Sequence, residues 1–376
     1  MGSLKSPYIT QYVENVLEPL GFDIYMQVPN EDKIYASEFL TKHKINYIKH
    51  HSRSDGIIYR VPILGLILQR LYNLFAIIKI KPFDFIHLQF VTMNELIRMV
   101  IARSKKTKCF ASFWGSDLLR VDEKKLKKEQ KFLDRLDFIS SDSYLVKKRY
   151  HEIYPTAKND LEVIYYGLTF IDVINKFAND IKGCKKYFDF PTNKKIVAIG
   201  YNAIKQQQHD RVLSALSNIP NKKDYFLVFQ MTYGAISDKN YQQNLIKQIE
   251  NSGFGYKIIN SYLSIDELAK LRVATDIFIN AQTTDAFCNT LKEHMCAKTQ
   301  IISAKWLNYL ELKMFPLYVN EFSDFDQIPS LMEKPISKEK LEWNKKTIEE
   351  KITWTTCLNR WAEIYGVKQK EDNANV

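Results

Sequence analysis

The chain contains no run of about 20 uninterrupted apolar residues, so no segment is suited to crossing a membrane as a helix. Its first residues show no basic flank followed by an apolar block, and no secretory signal peptide is expected. Five cysteines, Cys109, Cys184, Cys288, Cys296 and Cys357, make no C-x-x-C pair and follow no secreted spacing, which points to a reducing cytoplasm. The seven histidines are scattered, which speaks against a zinc site. Nucleic acid is not an expected partner, because neither a recognition motif nor a glycine-aromatic RNA signature is found.

What remains is a globular composition, 45% apolar and 26% charged. A chain of 376 residues is too long for one ordinary core and suits two domains of roughly 150 to 180 residues. Helical and strand patterns alternate throughout, as an α/β protein requires. Residues 12–20, 31–43 and 61–80 read as helices, and residues 22–28 and 85–90 as strands. His87, in the second of these strands, reads as a packed histidine. Residues 340–365 carry Trp343, Ile352, Trp361 and Ile364 at helical spacing, the pattern of core contacts.

The most informative stretch is DIFINAQTTDAFCNTLKEHMCAKTQII, residues 276–302, read as strand, polar turn, helix and strand. Asp285 in the turn and Glu293 in the helix stand eight residues apart. Carboxylates accept strong bonds from hydroxyl groups. The helix start at Asn289, Thr290 and Leu291 offers unpaired amides and the positive end of a dipole to a phosphate. One unit of this kind can hold a ribose, a diphosphate and a sugar. A second fresh strand begins in KKIVAIGYNAIKQQQHDRVLSAL, residues 194–216, where Gly200 permits close approach of a ligand and Asn202, Lys205 and His209 follow in the loop.

The D-x7-E segment resembles the donor-site helix of GT-B glycosyltransferases of the family 4 type, whose motif is E-x7-E. The first acid is Asp285 in this chain, and Lys298 stands where family members usually have a glycine. The GYN…QQH wording, with FQMTYGAISDKNY at residues 229–241, is similar to bacterial 4-acetamido-4,6-dideoxygalactose transferases. Two further segments match. KCFASFWGSDLLR, residues 108–120, resembles a strand ending in H-G-x-D, with Trp114 in place of the histidine. DLEVIYYGLTFID, residues 160–172, resembles the strand and glycine turn that close the first domain.

The resemblance implies an α/β GT-B fold of two Rossmann-like domains facing a cleft, with a C-terminal helix crossing back to the first. The expected division is an acceptor-side domain at 1–170, a linker at 171–193, a nucleotide-sugar domain at 194–339, and a crossing helix and tail at 340–376. On this plan Glu293 binds the ribose, Lys205 and the amides of Asn289, Thr290 and Leu291 meet the diphosphate, and Asp285 faces the sugar. Gly200, Asn202, Tyr233 and Gly234 shape the donor pocket, a tight turn explaining Gly234 equally well. His209 either meets a phosphate or caps a helix. Trp114 and Ser116 lie on the acceptor side, and Asp117 is either a catalytic base or the cap of the helix that follows. The donor is a UDP-, TDP- or GDP-linked sugar used as substrate, with no cofactor and no metal. Asp324 and Asp326 form a D-x-D triplet late in the chain, and a metal role there is disfavoured.

Family 4 likeness implies retention of anomeric configuration, and the aminosugar-transferase likeness implies inversion. The acceptor is expected to be lipid-linked or a growing polysaccharide. A net charge of +11, densest at residues 102–108, 124–131 and 146–151, fits peripheral binding to anionic lipid on the inner face of the plasma membrane. The apolar helix at 61–80 suits a companion lipid-facing surface or, favoured by Arg70 and Asn73, a core position. A Rossmann-like domain opens with a buried strand and a glycine turn. This chain opens at the turn, so a first strand is expected to be missing. Two other classes fit the architecture: a nucleotide-sugar epimerase and a non-catalytic scaffold of a polysaccharide assembly complex.

Overall fold

A computed structural model describes residues 7–29, 33, 36–52, 55–80, 82–217, 219–232, 234 and 239–367. The chain forms two compact units, Met1–Gly167 with Trp354–Val376, and Leu168–Thr353.

The C-terminal unit is built on a parallel six-stranded sheet. Its strands are β7 (Lys195–Ile199), β8 (Tyr225–Gln230), β9 (Gly255–Ile259), β10 (Ile277–Asn280), β11 (Gln300–Ala304) and β12 (Asn320–Phe322), in the order β12-β11-β10-β7-β8-β9. Strands covered on both faces read as continuous apolar runs, and β10 and β11 are buried at every residue. Helices provide the crossovers. One of them, Ile265–Ala274, starts from a reciprocal cap in which Ser264 accepts from the Glu267 amide and Glu267 from the Ser264 amide. The order reverses between β7 and β10, and open α/β sheets bind ligands at the carboxyl ends of such a pair.

The stretch expected as a linker, 171–193, is folded. Its helices Ile171–Phe177 and Ile181–Tyr187 belong to the C-terminal unit. Lys185 fixes the second, donating to the Asp276 carboxylate at 2.7 Å and the Lys194 carbonyl at 3.2 Å. The expected single helix at 340–365 is two, Lys338–Lys351 in the C-terminal unit and Trp354–Tyr365 in the N-terminal one.

The N-terminal unit contains two parallel sheets. One pairs β1 (Tyr25–Pro29) with β2 (Asn46–His50). The other has β3 (Phe85–Gln89), β4 (Lys108–Phe113), β5 (Phe138–Ser141) and β6 (Leu161–Val163) in sequential order. Among the described residues no strand lies between β1 and β3. Trp361 and Tyr365 pack into this unit's core with Tyr12, Phe110 and Tyr166. Gly167 admits the last helix, since a Cβ there would stand 2.3 Å from the Trp354 nitrogen. His87 is a packed residue, bonded to Tyr365 Oη at 2.9 Å and Ser112 Oγ at 2.8 Å.

The helix Leu64–Ile78 reverses the core placement favoured by its sequence. Leu64, Leu66, Ile67, Leu71, Tyr72 and Phe75 are exposed. The buried face is set by Asn73, which donates to the His51 carbonyl at 3.0 Å and accepts from the His51 amide at 2.6 Å. This pair of bonds satisfies both ends of the buried Asn73 amide and so holds that face of the helix inward.

Candidate functional site

The residues with site character in the C-terminal unit lie in loops leaving the carboxyl ends of β7 and β10. The backbone exits β7 at Gly200 with φ +62°. A Cβ there would stand 2.7 Å from His209 Nε2 and 2.8 Å from Gln207 Oε1, so glycine alone fits without displacement. Asn202 is buried and folds the loop on itself, its Oδ1 accepting from the Ile204 amide at 3.1 Å. Lys205 is exposed in the single turn Lys205–Gln207.

His209 opens the helix His209–Leu216 but does not cap it. Its ring is fully buried, and burial pushes its pKa down to about 4, which leaves it neutral at pH 7. Nδ1 lies 3.2 Å from Tyr241 Oη. Nε2 and both polar side-chain atoms of Gln207 are buried without a hydrogen-bond partner among the described residues. Buried polar atoms are normally paired, so His209 Nε2 and Gln207 Oε1, 2.7 and 2.8 Å from where a Cβ on Gly200 would stand, mark a candidate ligand position.

The β10 loop is bound to the β7 loop through Thr283, whose amide donates to the Gln206 carbonyl at 2.9 Å, and through Gln208, whose Nε2 donates to the Ala281 carbonyl at 2.7 Å. Gln282 Nε2 donates to Tyr201 Oη at 2.9 Å, and Trp306 Nε1 to the Gln282 carbonyl at 2.7 Å. Asp285 is buried, accepting from the Tyr309 hydroxyl and, at 3.3 Å, from the Cys288 amide. Tyr309 in turn accepts from Asn280 Nδ2 at 2.7 Å. The carboxylate thus holds the turn into the helix Asn289–Cys296, at whose start Asn289 and Thr290 are half-buried and Leu291 is fully buried. First-turn amides have no acceptor within their own helix.

Glu293 is 4% exposed, and its Oε2 accepts from Arg272 Nε at 3.0 Å, while Arg272 Nη1 donates to Gln230 Oε1 at 3.3 Å. Sequence reasoning did not find this partner, since Arg272 sits on another helix. Lys292 is another buried cation it missed, with Nζ 5.5 Å from the centre of the Phe287 ring. Gly234 has φ +85°, and a Cβ there would stand 2.3 Å from Ile204 Cγ2, so close packing on the β7 loop accounts for it. Tyr233 lies outside the described residues.

In the N-terminal unit Asp117 does not cap the helix that follows. It is 2% exposed and accepts from the Val91 amide at 2.8 Å and the Trp114 amide at 2.9 Å, tying together the loops after β3 and β4. Burial pushes its pKa up to about 6, the backbone donors opposing the rise. Asp122, not Asp117, caps the next helix, Glu123–Leu126. Trp114 is half-buried and donates from Nε1 to Gln89 Oε1 at 3.1 Å, and Ser116 is exposed. Asp324 caps a short turn, accepting from the Asp326 amide at 3.1 Å. Among the described residues no three His, Cys, Asp or Glu side chains gather as a metal cluster.

Two α/β units, the second doubly wound with its polar loops at the strand switch, define the GT-B fold. Solved structures of similar fold include a glycosyltransferase from Rickettsia africae, with TM-score 0.72, 16% identity, and coverage of 95% of this chain and 93% of that one. Anabaena Alr3699/HepE in complex with UDP and glucose matches with TM-score 0.72 and 12% identity, covering 97% of each chain. Sucrose-phosphate synthase from Thermosynechococcus elongatus follows with TM-score 0.65 and 12% identity, covering 93% of this chain and 96% of that one. No family model and no curated protein matches the sequence.

Proposed function

We propose that the chain is a glycosyltransferase that takes its sugar from a nucleotide-linked donor held by the C-terminal unit. The observation that carries this reading is the set of buried, unpartnered polar atoms of Gln207 and His209 under Gly200, at the switch of a doubly wound sheet. A diphosphate beside Gly200 would accept from Gln207 Nε2, from His209 Nε2 in its protonated tautomer, and from the first-turn amides of Asn289 and Thr290. Lys205 would add an exposed positive charge. Glu293, held by Arg272, faces the ribose, and Asp285, held by Tyr309, lies toward the sugar. The fold's likeness to HepE, solved with UDP and with UDP-glucose, supports the choice of ligand class.

The acceptor is lipid-linked or a growing surface glycan, and the N-terminal unit meets it at an anionic membrane. The exposed apolar side chains of residues 57–75, with Arg60 and Arg70 exposed among them, support that part. Apolar contact and attraction to anionic lipid act together in such surfaces.

Thermal-shift titration with UDP, TDP and GDP tests the donor assignment. One nucleotide at a hundredfold excess over its Kd is expected to stabilise the chain by about 2.7 kcal/mol, and Glu293→Gln to abolish that shift. Absence of a shift with every nucleotide overturns the assignment.

A further inference from the structure

The loops at the carboxyl ends of the C-terminal sheet frame a pocket of about 340 Å³ beside the β7 loop, within the range of about 300–1,000 Å³ in which small ligands are held. Gln208 and Arg211 enter it from the start of the helix after β7 and Thr283 from the loop after β10. Trp306 enters from the turn after β11, and Asp324 and Phe325 from the turn after β12.

Planar groups stacked on one another build its wall. The Arg211 guanidinium carbon lies 4.1 Å from the centre of the Phe325 ring, and that ring lies 5.6 Å from the Trp306 ring at a tilt of 35°. Phe322 meets Trp306 almost at right angles, at 5.3 Å and 87°. The indole is pinned through Nε1 to the Gln282 carbonyl at 2.7 Å, yet the residue is 40% exposed. The negative face of an aromatic ring attracts the weakly positive C–H groups of a sugar.

Arg211 is fixed as well. Its Nη1 donates to the neutral Gln208 Oε1 at 2.9 Å, and among the described residues it makes no ion pair. A guanidinium carries five N–H donors in a planar fork that matches a carboxylate. Stacking on Phe325 presets the fork, so little side-chain freedom is left to lose when an anion binds. Asp324 lines the same pocket, and its carboxylate accepts from the Asp326 amide at 3.1 Å instead of pairing with Arg211. A cation, an acceptor for hydroxyl groups and an aromatic face thus stand together. A simple anion uses the cation alone and meets Asp324 with like charge. A neutral sugar uses the other two and leaves Arg211 unmatched. A sugar bearing a carboxylate uses all three.

We propose that this pocket binds an acidic sugar of a glycan, a hexuronate or another carboxylate-bearing residue. On the glycosyltransferase reading, on which this rests, the residue belongs to the acceptor chain. Thr283, two residues ahead of Asp285 in the same turn, joins the pocket to the sugar end of the donor site.

Methyl glucuronide and methyl glucoside differ only at C6, and calorimetric titration with each is the test. The chain is expected to bind the glucuronide about tenfold more tightly. Arg211→Gln, at an exposed position, is expected to erase the difference, and Trp306→Ala to weaken both ligands. Absence of binding, equal affinity for the two glycosides, or a preference that survives in Arg211→Gln overturns the proposal. So does displacement of the glucuronide by an equal concentration of inorganic phosphate, the mark of a simple anion site. Titration of the same chains with UDP, TDP and GDP keeps this failure apart from that of the donor assignment. Glucuronide binding without any nucleotide response sinks the donor assignment and leaves the acidic-sugar pocket standing; a nucleotide response with equal glycoside affinities does the reverse.

Discussion

In the C-terminal unit the central strand β7 is bonded on both edges, to β8 and β10, whereas the corresponding place in the N-terminal unit, between β1 and β3, is a cavity. The units otherwise share a grammar of parallel strands and covering helices. The difference shows in the loops. Around β7 and β10 the backbone itself joins the loops, through Gly200 N to the Ile279 carbonyl at 3.1 Å and Thr283 N to the Gln206 carbonyl. After β3 the Phe90 amide likewise reaches the Ser112 carbonyl of β4 at 3.1 Å, but there a buried carboxylate, Asp117, adds bonds to the Val91 and Trp114 amides. Backbone bonds tie the loops at both centres; the difference is that the added side-chain tie is a neutral amide, Gln208, beside β7 and a carboxylate whose charge depends on pH beside β3.

The strongest way to break the comparison is Trp361→Ala. This side chain is 1% exposed, and its ring centre lies 5.6 Å from Tyr12 and 4.9 Å from His87. Truncation is expected to cost the N-terminal unit about 3–5 kcal/mol. Hydrogen exchange should then show β4 losing protection while β7 keeps it.

Next in size is pH. Burial holds the folded pKa of Asp117 above the ordinary aspartate value of 3.8, at about 6. The folded state therefore binds more protons between these values, and stability falls as pH rises from about 4 to about 6. The full swing is about 3 kcal/mol. Asp117→Asn is expected to flatten this dependence in β4 protection, with β7 following the same pH course in both proteins.

The smallest effect is confined to the other unit. Gly200→Ala puts a Cβ against His209 and Gln207 at positive φ and is expected to cost about 1–3 kcal/mol. Exchange should rise at β7 and not at β4.

Much of the C-terminal unit was legible in the sequence. β7 and β10 announce themselves as buried apolar runs bounded by a glycine and a polar turn, and D-x7-E marks the helix after β10 correctly. What stayed hidden lies in long-range pairing. Nothing in sequence joins Arg272 to Glu293, Tyr309 to Asp285, or the Val91 amide to Asp117. Periodicity misled at Leu64–Ile78, because an apolar helix signals burial while one asparagine, meeting His51 from 22 residues away, decides which face turns inward. The supposed linker at 171–193 failed for a related reason, since Lys185 finds its anchor at Asp276.

The placement of Trp354–Tyr365 in the N-terminal unit sets the order in which the nascent chain can finish folding. Domains usually close in the order of synthesis. Here residues 168–353 are a complete unit as soon as they emerge from the ribosome, whereas the first 167 residues must wait for Trp361 to complete their core. The part translated first is therefore the last to close: Tyr12 and Phe110 can meet Tyr166 and Phe138 early, but lack Trp361 and Tyr365 until the last helix has been made.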